Sequence, residues 1–236
     1  MLPPSSIPGR LEMSPEPLTG IVEMSLWSDI LTNRILTGIS IILVVGHILM
    51  YLRTLPSVLQ CLGRNRLNIE LEHSYNMSKQ RNLCALYLAL PFCLVVGRYR
   101  LYRPVFMADI PETWQTPAIA GVLFAFLLLR HIIHLAARPK RVPNEVVQSA
   151  HHVLFTFFIP LAFIMLATVG ILSVVSCSDS VIKSALLWEA AGAYLLAMIR
   201  EMQILVSYCS GFSTILYLCT SELAPALVLV ASAVKL

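Results

Sequence analysis

The feature that most constrains this chain is a series of six apolar segments, most of them long enough to cross a bilayer. They cover about residues 31–51, 83–97, 117–136, 146–174, 181–199 and 209–234. A helix needs about 20 apolar residues to cross the hydrocarbon core, so 83–97 is short for a span. Because a helix satisfies its backbone hydrogen bonds internally, the pattern predicts an all-α integral membrane bundle with about six transmembrane helices.

The composition agrees with a membrane protein. Of the 236 residues, 57% are hydrophobic and 13% are charged, and the mean hydropathy is +0.76. Soluble domains are about half apolar and a quarter charged. We therefore expect a transmembrane domain over 31–236, preceded by a disordered or interfacial tail over 1–30, which is rich in proline, serine and glutamate. That tail lacks a signal-peptide pattern, so the first helix is expected to act as the membrane signal.

A second kind of helix is predicted between the first two spans. Leu55, Val58, Leu59 and Leu62 recur at helical spacing within 52–82, among several basic residues. This pattern is typical of an amphipathic helix on the membrane surface.

The distribution of lysine and arginine predicts the orientation, since basic loops stay on the inner side. With the amino terminus outside, ten basic residues lie inside and seven outside. The inner set is Arg53, Arg64, Arg66, Lys79, Arg81, Arg130, Arg138, Lys140, Arg141 and Arg200. We expect a multi-pass protein of a bacterial inner membrane with its amino terminus outside, although the RYRLYR run at 98–103 opposes this orientation.

Two carboxylic acids, Glu189 and Glu222, fall inside predicted spans. An ionised side chain is costly at that depth, and the sequence predicts no lysine or arginine beside them. One interpretation is a proton-relay or substrate-coordinating pair. The other is a protonated structural glutamate that hydrogen-bonds a neighbouring helix, which the small residues around Glu189 favour.

Proline recurs in three alternate spans. Pro91, Pro160 and Pro225 each remove a backbone donor and predict kinks in the second, fourth and sixth helices. Kinks of this kind serve as hinges in transporters, but they are also common in other membrane helices.

The histidines cluster on the predicted inner side. His47, His131, His134, His151 and His152 lie near helix ends there, and imidazoles on facing helices can ligate haem iron or a metal. The alternative is that they are interfacial residues. No CxxCH motif supports haem, and the six cysteines have no metal-ligand spacing, so no cofactor is predicted.

Catalytic and nucleic-acid-binding signals are missing from the sequence. We found no Gly-rich phosphate loop, nucleophile elbow or HExxH motif, so no enzymatic activity is expected. The net charge of +4 comes from basic residues in short loops, which indicates membrane topology rather than nucleic-acid binding.

The final helix resembles a known family. Residues 216–229 read LYLCTSELAPALVL, which is similar to the LCTxExxP-type ending of multi-pass inner-membrane proteins of the Bacteroidetes lineage, a family defined by a domain of unknown function. Glu222 and Pro225 match that ending, whereas Ser221, Leu223 and Ala226 depart from it. The resemblance implies a multi-helix inner-membrane protein and brings no known activity or cofactor.

Three functional hypotheses follow. The leading one is a non-enzymatic subunit or scaffold of an envelope complex, contacting lipids and other inner-membrane or envelope proteins. The second is a small proton-coupled transporter that uses the intramembrane glutamates. The third is a haem-binding redox subunit.

Overall fold

The computed structural model describes Trp27 and residues 29–63, 74–107, 109–136, 142–208 and 211–235. Its helices are α1 (Leu31–Gly46), α2 (Ile48–Gly63), α3 (Tyr75–Arg98), α4 (Glu112–Ala136), α5 (Asn144–Val174), α6 (Asp179–Val206), α7 (Gly211–Leu218) and α8 (Ala224–Lys235). A 3₁₀ turn, Val105–Met107, precedes α4, and a π-helix, Cys219–Leu223, joins α7 to α8. Most of the predicted tail and part of the predicted surface segment, 64–73, lie outside the described residues.

The predicted all-α membrane bundle is confirmed. Five helical stretches are long and apolar enough to cross a membrane, namely Asn76–Arg98, Glu112–Ala136, Val146–Val174, Asp179–Val206 and Gly211–Ala233. The number of spans rises to six if the bent pair of helices α1 and α2 is counted as one span.

The first predicted span, 31–51, is divided between two helices. α1 ends at Gly46 and α2 begins at Ile48, with a bend of 68° between them. The break is at His47, whose backbone leaves the helical region and whose Nδ1 lies 3.0 Å from the carbonyl oxygen of Leu43. The same carbonyl oxygen also accepts the backbone amide of His47 at 3.2 Å, so the last helical hydrogen bond of α1 is still formed at the break. α2 buries Tyr51, Thr54, Val58 and Cys61 against the bundle.

Other helices are longer than their apolar segments. α3 begins at Tyr75 rather than near residue 83, and α6 ends at Val206 rather than near residue 199. Hydropathy locates only the part of a helix that lies in hydrocarbon, while the helix itself continues into polar or protein-covered surroundings.

The central helix of the bundle is α5. It packs along α6 and also against α3 and α2, while α4 packs against α3, α1 and the π-helix. The prolines predicted to kink spans are all buried, with Pro91 inside α3, Pro160 inside α5 and Pro225 as the second residue of α8. This arrangement brings the end of α4, the start of α5, the end of α6 and the π-helix to one region.

A buried arginine–glutamate cluster

A buried cation lies at the point where four helical segments meet. Arg130 of α4 is 1% exposed. Its Nε donates to Oε1 of Glu222 at 2.6 Å, and its Nη2 is 2.5 Å from the same oxygen. The Nε contact is a charge-assisted hydrogen bond, which is the strong class, whereas Nη2 is close to that oxygen as an ion pair without a hydrogen bond. Glu222, predicted as an intramembrane acid, is therefore paired with an arginine.

The same guanidinium also contacts α6 and α5. Its Nη2 lies 3.5 Å from Oε2 of Glu201, which is 2% exposed. The Nη1 atom donates to the carbonyl oxygen of His151 at 2.8 Å and lies 3.2 Å from the ring Nδ1 of that residue. The other oxygen of Glu201, Oε1, is buried without a hydrogen-bond partner. One arginine thus faces two buried carboxyl groups, and one of their oxygens is unsatisfied.

The local backbone around Glu222 is itself unusual. Within the π-helix, the amide of Ala224 bonds to the carbonyl of Cys219, five residues back instead of four. Pro225 has no amide hydrogen to offer the carbonyl of Ser221. In addition, the hydroxyl of Tyr194 on α6 donates to the carbonyl oxygen of Glu222 at 2.9 Å. Short π segments inside α-helices are frequent at functional sites.

These contacts correct two expectations. The sequence predicted no lysine or arginine at the depth of the intramembrane glutamates, because Arg130 was counted among the inner basic residues. Glu201 lies beyond the segment 181–199 in which a helix was predicted, so the sequence did not mark it as an intramembrane acid. Since α6 continues to Val206, Glu201 is instead buried within it.

Four of the five candidate histidines lie together beside Arg130. The rings of His134 and His151 stack with their centroids 4.2 Å apart, and His151 is 5.6 Å from His131 and 5.5 Å from His152. His47 contacts Tyr87 instead, at 4.4 Å between ring centroids. Within the described ranges, no group of three or more histidine, cysteine, aspartate or glutamate side chains could hold a metal ion.

Glu189 has a separate partner. Thr168 of α5 donates to its Oε1 at 2.5 Å, and its Oε2 is buried without a partner. Glu189 precedes Glu201 by 12 residues on α6, a separation of about 18 Å along the helix axis. The structure therefore groups Glu222 with Arg130 and Glu201, and pairs Glu189 with a threonine.

Comparison of this chain with protein-family models, with curated proteins and with solved structures finds no match.

Proposed function

We propose that this chain is a small proton-coupled membrane transporter, in which Glu201 and Glu222 are the proton-binding groups and Arg130 is their counter-ion. The observation that carries the proposal is the meeting of two buried carboxyl groups on one buried guanidinium. Ionisable groups inside spans are rare and mark ion or substrate pathways.

The charge of the cluster supports proton binding. With both carboxyl groups ionised, Arg130 balances one of them and leaves a net charge of −1 in a region where each of the three residues is at most 3% exposed. An uncompensated buried charge costs several kcal/mol. Binding one proton removes that charge and allows the carboxyl group to act as a hydrogen-bond donor.

The backbone beside these groups supports a conformational change. Glu222 lies in a π-helix that ends just before Pro225, so two helical hydrogen bonds differ there from those of a regular α-helix. Discontinuous spans also form binding sites in transporters, where they line a cavity. A change of charge at Glu222 acts directly on this irregular segment.

Proton movement in proteoliposomes tests the proposal. A pH gradient is imposed across the vesicle membrane, the potential is clamped with potassium and valinomycin, and the internal pH is followed with a trapped dye. The parent protein should move protons, and Glu222→Gln should abolish the movement. Glu112→Gln, an exposed glutamate in the first turn of α4, is the matched control and should behave as the parent. A parent protein no faster than protein-free vesicles would end the idea.

The second candidate is a non-enzymatic subunit of an envelope complex, as first expected from the sequence. This candidate is supported by the burial of the cluster away from solvent, since Arg130 is 1% exposed and Glu222 3% exposed. A closed, paired site also fits a purely structural role. Gentle crosslinking in native membranes, followed by purification, should then recover a stable partner, and a chain that runs alone would exclude this candidate.

We also propose that the protein lies in a bacterial inner membrane with its amino terminus outside. This location is supported by the basic residues of the predicted inner loops and by the resemblance of the final helix to the Bacteroidetes family. Haem binding by the histidines stays the third hypothesis. The Nδ1 atoms of His134 and His151 already contact Tyr217 and Arg130, and a purified protein without a Soret band would exclude haem.

A further inference from the structure

Two of the three nitrogen atoms of the Arg130 guanidinium are held by hydrogen bonds. Nε donates to Glu222 on the π-helix at 2.6 Å, and Nη1 donates to the backbone carbonyl oxygen of His151 on α5 at 2.8 Å. The third nitrogen, Nη2, has no hydrogen-bond partner, although it lies 2.5 Å from an oxygen of Glu222 and 3.5 Å from one of Glu201. Because the guanidinium is planar and rigid, the contacts of Nε and Nη1 decide where Nη2 lies between the two acids.

The second contact of Nη1 is with the ring of the same histidine. The Nδ1 atom of His151 lies 3.2 Å from Nη1, which is within hydrogen-bonding distance. Arginine has N–H donors and no acceptor, so Nδ1 is the acceptor in this contact and carries no hydrogen. A neutral imidazole with a bare Nδ1 has its hydrogen on Nε2. The contact therefore requires the Nε2–H tautomer of His151.

The ring of His151 is packed by residues of two other helices. The ring of His134 on α4 stacks on it, with centroids 4.2 Å apart and 24° between the ring planes. The Nδ1 atom of His134 in turn lies 2.5 Å from the hydroxyl of Tyr217 on α7. Both histidines are at most 9% exposed. Neighbours that lock a side chain in this way keep a site in one geometry.

We infer that His151, as its Nε2–H tautomer, is the positioning residue of the carboxyl cluster, an inference that rests on the proposed function. Its carbonyl oxygen and its Nδ1 both accept from Nη1, and they hold Nη2 of Arg130 between the two carboxyl groups. Without the ring acceptor, the guanidinium is free to turn towards one acid and away from the other. Two carboxyl groups that share one cation would then become an ion pair and an acid without a counter-ion.

Solid-state NMR of the reconstituted protein with isotopically labelled histidine tests the tautomer near neutral pH. Nδ1 is bonded to Cγ and Nε2 to Cδ2, so nitrogen–carbon correlations show which ring nitrogen carries the hydrogen. The signals of His151 are those that disappear in His151→Asn. We expect its protonated nitrogen to correlate with Cδ2. A protonated nitrogen bonded to Cγ, in a neutral ring or in an imidazolium, would overturn the inference.

Two amide variants test the positioning role by proton movement in proteoliposomes. In His151→Asn the side-chain oxygen takes about the place of Nδ1, whereas in His151→Gln it takes about the place of Nε2. Both variants are polar and uncharged, so each is the matched control of the other. His151→Asn should move protons at nearly the parent rate. His151→Gln should be slower by about 10–100-fold, because a misplacement of about 1 Å in a site can cost rate factors of this size.

The outcomes separate this inference from the proposed function. If His151→Gln is as fast as His151→Asn and the parent, the positioning role is overturned while the proposed function stands. Equal and strong losses in both variants also overturn it, because the acceptor at the place of Nδ1 would then not be what matters. A parent protein that moves no protons ends the proposed function and the positioning role together, whichever tautomer the NMR shows.

Discussion

Replacing Arg130 by methionine should destabilise the protein strongly. Methionine keeps most of the apolar volume but removes the cation whose Nε and Nη2 contact Glu222 at 2.6 and 2.5 Å and whose Nη2 contacts Glu201 at 3.5 Å. It also removes the hydrogen bond to the carbonyl of His151. Breaking a buried ion pair by deleting one partner typically costs about 3–5 kcal/mol, because the other charge stays buried. We expect a loss in the free energy of unfolding within that range.

Removing all three charges of the cluster should then recover most of the free energy of unfolding that Arg130→Met loses. In the triple variant Arg130→Met, Glu201→Met, Glu222→Met, no charge is left among these three side chains, and all three become hydrophobic residues of similar volume. Replacing all members of a buried ion pair is often neutral or stabilising, in contrast to the removal of one. The three substitutions should therefore be far from additive, as is typical of residues within one network.

The cysteines of the chain provide the assay. Cys61, Cys84 and Cys93 are each at most 2% exposed, so a thiol-reactive dye reports their exposure as the protein unfolds in micelles with increasing SDS. Arg34→Met, on the exposed side of α1, is the matched control and should change the free energy of unfolding little. The reasoning is refuted if Arg130→Met is no less stable than this control, or if the triple variant is no more stable than Arg130→Met alone.

Two further helix contacts are tested by the same unfolding assay. A Cβ atom at Gly97 would lie 3.3 Å from two side chains of α4, so Gly97→Ala should lower the free energy of unfolding by about 1–3 kcal/mol. The matched control is Gly121→Ala, because a Cβ atom there meets open space. It should leave the free energy of unfolding unchanged or raise it by up to about 1 kcal/mol. Equal stabilities of the two would contradict this packing. Thr168→Val removes the hydrogen bond to Glu189 and should cost about 1–3 kcal/mol; an unchanged stability would show that this bond contributes nothing.

The general architecture could be predicted because the bilayer imposes it. Backbone groups in hydrocarbon must be paired, so long apolar segments have to be helices, and α5 occupies almost the stretch expected of it. The division between α1 and α2 could not be predicted in the same way. The segment around His47 is as apolar as a continuous span, and the break depends on a backbone conformation and on one side-chain contact to Leu43.

Only some residues of the candidate site could be predicted from the sequence. Glu222 and the histidines stood out because polar side chains are rare in apolar segments. Arg130 and Glu201 did not, because each lies near the end of its predicted span, where a charge normally indicates a loop. Which helices are neighbours depends on tertiary packing, and a single sequence does not contain the pairing of Arg130 with an acid 92 residues later.

One signal in α4 could have identified the arginine. In a soluble protein the buried face of a helix is its apolar face, but in a membrane the surrounding lipid is as apolar as any side chain. The buried positions of α4 are accordingly Thr116, Ile119, Arg130 and His134, while Phe124, Leu128 and Ile132 are exposed. Arg130 and His134 are four residues apart and share one face of the helix. A polar stripe at helical spacing within an apolar span therefore predicts the side that faces the bundle, and it places Arg130 on the same buried face as His134.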